Sequence, residues 1–342
     1  MSTAAELIAD RGAAAELIAD RGAAAASQEF FRSRPFLDAE QVTHTLRIEA
    51  DGAELLAPLI VRDIPGSDRQ DAISPYGYPG IFAPTGVDPP IEGSTPDALL
   101  DPGEVDFSAT GLVSVFIRHA LGEPPLAGAA ERNVVQIADP ELPPKSRSSD
   151  RNQVNKNRRA GYDVRLVPGP QTSAADRDGF LIAYEQTMRR TGAAEQYFFG
   201  AAYFDRILAS ARAWLALADA PGGDLAAASI AVRSDGFIHY YLSGSADSHL
   251  SDSPMKNVVA TLVEFATGQG LPLNLGGGIS RGDRLEEFKR GFANREQAWH
   301  SSEIICDPQA YSRLSAGHAP SGFFPLYRDG GASGQADQGR GE

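Results

Sequence analysis

The residues best placed by type and spacing to do chemistry lie in Asn274-Leu275-Gly276-Gly277-Gly278 and, a few residues on, Leu285-Glu286-Glu287-Phe288-Lys289-Arg290-Gly291-Phe292. Three glycines ending an apolar run let a backbone approach a ligand closely and turn N–H groups toward it. Gly276, Gly277 and Gly278 are therefore candidate substrate-binding positions. The pattern predicts a helix over about 283–291. At about 100° per residue, Leu285, Phe288 and Phe292 share one stripe of it. Lys289 falls on the edge of that stripe, and Glu286, Glu287 and Arg290 on the opposite, solvated side. A lysine on an apolar edge either snorkels or points into a closed site. In a closed site its ammonium can stabilise the oxyanion of an acyl transfer.

A second group of residues speaks to the donor. Acyl-CoA transferases of the α/β type seat a pyrophosphate on a helix N-terminus through a glycine-rich loop. The equivalent stretch here is Ser251-Asp252-Ser253-Pro254-Met255-Lys256-Asn257, which has no glycine. Asp252 repels phosphate and Pro254 removes an N–H; Ser253 reads as N-cap and Pro254 as the first helical residue. Ser253 to Lys256 also fits Ser-x-x-Lys, but a four-residue match with two wildcards and no following Lys-Thr-Gly is chance. His239 and Tyr241, in the strand pattern His-Tyr-Tyr-Leu-Ser-Gly-Ser, are candidate acceptor-side residues, with a satisfied structural histidine as the competing reading. Tyr76 and Tyr78, in a turn-rich loop, are candidates of the same kind. Tyr197-Phe198-Phe199 reads as core. None of the six histidines shows metal-ligand spacing, so no metal is expected.

The elements that position these residues can be read along the chain. AAELIADRGA at 4–13 returns at 14–23. Two copies do not make a solenoid, so residues 1–28 are expected to be a mobile, dispensable extension. Alternation over 42–64, broken by Asp51-Gly52, predicts a hairpin. Residues 112–121 read as a helix and 134–137 as a strand. A Pro- and Ser-rich stretch at 139–150 reads as a linker. Beyond it come a basic helix at 149–160, a strand at 162–167, helices at 174–191 and 200–213, strands at 225–233 and 237–244, a helix at 254–267, a strand at 271–275, the Lys289 helix and strands at 298–305. The tail 329–342 reads as disordered.

Bulk properties set the frame. The 342 residues, 42% hydrophobic and 22% charged, suit two domains of about 150 residues. No run of about 18 apolar residues exists, so no membrane insertion is expected. The single cysteine, Cys306, makes no internal disulfide, fits a cytoplasmic protein, and reads as a small buried hydrophobe. A net charge of −14 excludes a nucleic-acid-coating protein. Any RNA contact must be local, and Lys145, Arg147, Arg151, Lys156, Arg158 and Arg159 form such a basic stretch; a solvated helix face is the alternative.

The run LGGG…DRLEEFKRGF resembles the C-terminal motif of the Fem-type (FemABX) aminoacyltransferases and their GNAT-like relatives. Arg151, Lys156 and Gly161 resemble the basic helix that opens the family's second half. Gly111 to His119 and Tyr76-Gly77-Tyr78-Pro79-Gly80 resemble first-half segments, and the likeness covers about 30–328. It implies an α/β (α+β) fold of two GNAT-like domains, at 29–148 and 149–328, each a mixed, mostly antiparallel sheet flanked by helices. It implies a reaction in which an amine acceptor attacks the ester of an aminoacyl-tRNA, with Lys289 on the oxyanion and Phe288 against the terminal ribose. Arg151, Lys156, Arg158 and Arg159 would then hold tRNA, as co-substrate and with no further cofactor. The family's wall-building members carry a coiled-coil arm, and no heptad run appears here, so a small amine-bearing acceptor on a monomer is expected. The alternatives are an N-acyltransferase using an acyl-CoA or carrier-bound donor, and a non-catalytic binding protein on the same scaffold.

Overall fold

The computed structural model describes residues 13–22, 25, 27, 29–50, 53–83, 100–121, 126–278 and 280–329. The chain divides into two compact units, Met1–Arg132 with His300–Gln338 and Asn133–Trp299 with Gly339–Glu342.

The first unit is built on strands β1 (Ala14–Ile18), β2 (His44–Ala50), β3 (Ala53–Asp63), β4 (Gln70–Ile73) and β5 (Leu112–Arg118), with the short helix α1 (Arg34–Ala39). β1 to β4 pair antiparallel in sequence order, and β4 pairs parallel with β5. The sheet is therefore mixed and mostly antiparallel. Two expectations fail here. The second copy of the N-terminal duplication is not a mobile extension: Ala14–Ile18 zips onto Glu49–Thr45, with Glu16 ion-paired to Arg47 at 2.6 Å and Ala15 buried. The first copy up to residue 12 and the Asp51-Gly52 turn lie outside the described residues. The segment expected as a helix at 112–121 is the strand β5, whose seven residues are all buried. A strand covered on both faces shows no alternation, and its β-branched content is the remaining signal.

The second unit carries β6 (Ala130–Ala138), whose last six residues belong to it, then α2 (Ser148–Ala160), β7 (Asp163–Pro168), α3 (Ala174–Thr191), α4 (Ala201–Leu208), β8 (Ala213–Asp219), β9 (Leu225–Ser234), β10 (Phe237–Ser245), α5 (Met255–Gly268), β11 (Leu273–Asn274), α6 (Arg284–Arg290) and the start of β12 (Arg295–Ile305). Its strand order is β6-β11-β10-β9-β8-β7, antiparallel except for the parallel pair β10–β11. α3 starts on a capping box between Ser173 and Asp176 and ends at Gly192 in the left-handed region, which satisfies end groups at both termini. Its Phe180, Ala183, Tyr184 and Met188 face inward. It packs so close to β10 that a Cβ on Gly244 would lie 2.4 Å from the Tyr184 backbone nitrogen. On the other face Val258, Val259, Leu262 and Ala266 of α5 join Ala227, Ala231, Ile238 and Leu273 in one core.

The boundary differs from the expected 148/149. The chain enters the second unit inside β6, which has no proline or glycine, and leaves it inside β12. The Pro- and Ser-rich stretch at 139–150 is a loop within the unit. Ser301–Ile305 pair with Arg118–Ser114 of β5, and α7 (Pro308–Ser315) packs Ala310 against Ile64 and Val113. Residues from His300 onward thus complete the first sheet. The tail beyond 329 lies outside the described residues. Among the described residues no helix is long and apolar enough to cross a membrane.

Candidate active site

The site forms where the parallel strands β10 and β11 part. They pair only at Ile238–Leu273 and His239–Asn274. Beyond that point β10 stays with β9 through a register shift between Tyr240 and Leu242. The chain after β11 follows β6 instead: Leu275 N donates to Gln136 O at 2.9 Å, and Gln136 N to Gly276 O at 3.0 Å. The result is a V in the sheet, with the glycine segment on one arm and the Ser253–Asn257 turn following the other.

His239 sits at the fork, 1% exposed. Asn274 Nδ2 donates to its Nδ1 at 3.0 Å, and Nε2 faces Ser234 O at 3.2 Å. Burial pushes its pKa down to about 3, so the neutral imidazole donates from Nε2 to the carbonyl. The Asn274 side-chain oxygen accepts from Gly276 N at 2.8 Å. His239 is thus buried and satisfied on both ring nitrogens, in keeping with the structural reading, and it holds the glycine segment through Asn274. Tyr241 is also buried, its hydroxyl 2.8 Å from that of Tyr203, which stacks on Phe199. Phe199 thus joins the aromatic core as expected, whereas Phe198, expected there with it, is 39% exposed.

The glycines answer to the protein's own crowding. Gly276 is left-handed at φ +76. A Cβ on Gly277 would lie 2.6 Å from Asn133 Nδ2, and one on Gly278 would lie 2.4 Å from Asp283 Oδ1. Asp283 caps α6 through Glu286 N at 2.8 Å, and Asn133 Nδ2 donates to Gly278 O at 2.9 Å. β6 and the start of α6 thus grip the segment from two sides.

Lys289 is 2% exposed, and its ammonium donates to Gly277 O at 2.6 Å. The apolar-edge position read from the helix pitch places it indoors. Phe288 is half-buried against the α5 core and packs edge-on to Phe292. Glu286 departs from expectation. It is 2% exposed, accepts from Gly282 N at 2.7 Å and pairs with Arg290. In a seven-residue helix with short flanking loops, the side opposite the core stripe is covered by the loop before it. Glu287, by contrast, is exposed.

The start of α5 is closed by a network that the sequence did not announce. Ser253 is left-handed at φ +50 and Pro254 precedes the first helical residue, one position later than expected. Lys256 N and Asn257 N donate to Ser253 O and Pro254 O, so two of the earliest N–H groups are used in the turn itself. Asn157 Nδ2 and Gln153 Nε2 hold Asp252 O at 2.8 and 3.0 Å. Tyr162 donates to Asp252 Oδ2 at 2.8 Å, with a phenol pushed up to about 12 by burial and by that carboxylate. Lys256 pairs with buried Asp150 at 2.9 Å. A negative group, a missing N–H and occupied donors do not fit a pyrophosphate.

The remaining candidates are dispersed. Arg151, Lys156, Arg158 and Arg159 are exposed on α2, with Arg158 paired to Glu264 at 2.8 Å. Tyr76 and Tyr78 belong to the first unit, where Tyr76 N donates to Glu40 and Tyr78 packs edge-on to Phe31. The Cys306 thiol is pushed up to about 12 by burial, so it stays protonated and is no nucleophile.

Residues 144–290, which include both arms of the V and the start of α5, match the family model of the acetyltransferase (GNAT) domain. The second unit is a GNAT domain. The fold of the chain is that of the GNAT-like transferases. FemX is 11% identical with a TM-score of 0.56, covering 82% of this chain and 93% of that one. L-PGS from Bacillus licheniformis is 14% identical with a TM-score of 0.50, covering 75% and 82%. The C-terminal domain of a putative lysylphosphatidylglycerol synthetase from Agrobacterium fabrum is 9% identical with a TM-score of 0.51, covering 84% and 90%. No protein of curated function matches the sequence. The GNAT domain makes the chain an acyltransferase.

Proposed function

We propose that the protein transfers the aminoacyl group of an aminoacyl-tRNA to an amine, forming an amide on a small natural-product or peptidoglycan precursor. The observation that carries this reading is the pairing of two features in one domain: a buried Lys289 ammonium on the glycine segment, and an α5 start unsuited to CoA. The Fem-type resemblance of LGGG…EEFKRGF and the FemX-like fold point the same way.

In this scheme the acceptor nitrogen attacks the ester carbonyl. The C–N bond forms, the C–O bond to the ribose breaks, and the amine proton ends on the departing ribose hydroxyl. The ester is already activated, so holding the two partners together supplies most of the rate. Lys289 places a fixed positive charge where the carbonyl oxygen becomes anionic. Phe288 offers an apolar face to the terminal ribose, and Lys156 and Arg159 on α2 offer charge to the acceptor stem.

The donor assignment is tested by thermal shift. Saturating acetyl-CoA is expected to leave Tm unchanged, because Asp252, Pro254 and the used N–H groups disfavour pyrophosphate. A rise of several degrees that grows with acetyl-CoA concentration would assign an acyl-CoA donor instead.

A further inference from the structure

A groove of about 320 Å³ runs between α2, α5 and the loop at 139–146 of the second unit. Its floor is aliphatic: Ala138, Val154, Ala260 and Val263, with Phe292 at one end and Leu142 on the wall. Leu142 is 40% exposed, one of five large hydrophobic side chains left so among the described residues. Of the charged residues that line the groove, Arg158 is neutralised by Glu264 at 2.8 Å and Asp139 by Arg295 at 3.1 Å. Lys145 and Arg151 line it as well, and among the described residues no carboxylate pairs with either. Arg151 is held in place all the same: its Nη1 donates to Ser146 O at 2.7 Å. A net −14 chain thus keeps two cations with no paired carboxylate beside a trough with an aliphatic floor.

We propose that this groove binds an anionic amphiphile, a single alkyl chain on the floor with a carboxylate or phosphate head on Lys145 and Arg151. The volume sets the length. At about 30 Å³ per water-sized group the trough of about 320 Å³ holds roughly ten groups, chain and head together, near the lower end of ligand-site sizes. A nucleotide fits less well, since the lining has a single aromatic ring for stacking, Phe292, and the Asn294 amide is taken up by the Asp139 backbone. The site is separate from the Lys289 site and does not depend on the identity of the aminoacyl donor.

Isothermal titration of the full chain with hexanoate, octanoate and decanoate below their micelle concentrations tests the assignment. Affinity is expected to rise by up to about fourfold per methylene. Decyl phosphate is expected to bind at least as well as decanoate, and decyltrimethylammonium not to bind. The surface double variant Lys145→Glu/Arg151→Glu is expected to lose at least tenfold in decanoate affinity, and Val263→Trp, which fills the floor, to abolish it. An unchanged circular dichroism spectrum and Tm identify folded variants. Affinity independent of chain length, equal binding of the cationic amphiphile, an unaffected charge-reversed variant, or binding of adenosine monophosphate in preference to decanoate would each overturn the assignment.

Discussion

Lys289 concentrates the chemistry of the account in one side chain. An ammonium taken out of water is costly without compensation, and the Gly277 carbonyl supplies one acceptor at 2.6 Å. Removing a donor that stabilises an oxyanion typically lowers the rate by about 100- to 1000-fold. Lys289→Met is therefore expected to keep its circular dichroism spectrum and lose single-turnover transfer by about that factor. Lys289→Arg should recover little, because a planar fork replaces a compact charge. Glu287→Gln is the control and should stay near wild type; Arg290 is unsuitable as one, since it pairs with buried Glu286. Lys289 was legible because helical pitch alone separates it from Arg290. Glu286 was not, because pitch says nothing about a loop folding back over the far side of a short helix. Histidines give a second test. Burial holds His239 down to about 3, and burial with the charge of His300 holds His119 down to about 4. Both lie below the value of about 6.5 of an unfolded chain, so the unfolded state takes up protons first. The stability these groups confer is complete above about pH 6.5 and is lost as pH falls toward 4 and then 3. Urea midpoints are expected to fall over that range, and less steeply in His239→Gln; identical slopes in variant and wild type would show that His239 is not held neutral.

Elements of the GNAT domain were readable where period and punctuation agree. α2 and α3 end at Gly161 and Gly192, both left-handed, and the Ser234-Asp235-Gly236 turn separates β9 from β10. Strand β8 was hidden because helix α4 runs almost directly into it, so one apolar stretch reads as a longer helix. β1 was hidden for the opposite reason: AAELI has helical propensity, and its pairing with β2 overrides it. Deleting residues 1–22 is accordingly expected to lower Tm and promote aggregation, since it strips the cover from β2 and leaves an open strand edge. An unchanged Tm and a monodisperse product would return that segment to the status of an appendage. Close contacts give a sharper test. Gly244→Val places a side chain against backbone atoms of α3 that cannot move aside, and should cost on the order of 3 kcal/mol, the upper end for overpacking, in chemical denaturation. Wild-type stability there would mean that α3 lies further from β10.

For the molecule as a whole, the two-unit plan followed from length, but the border did not. Strands β6 and β12 carry the chain between units without a proline or glycine, while the Pro-rich 139–150 loop imitates a linker. The acyltransferase assignment rests on the GNAT domain at 144–290; the donor is the claim that distinguishes this account. It is tested most directly by incubating the purified chain with a pool of radiolabelled aminoacyl-tRNAs and a panel of small amines, with and without prior ribonuclease treatment, beside a parallel reaction supplied with acetyl-CoA. Label is expected to pass to an amine as an alkali-stable amide, in a transfer abolished by ribonuclease and reduced about 100-fold or more in Lys289→Met. Amide formation from acetyl-CoA, with none from any charged tRNA, would contradict the donor assignment.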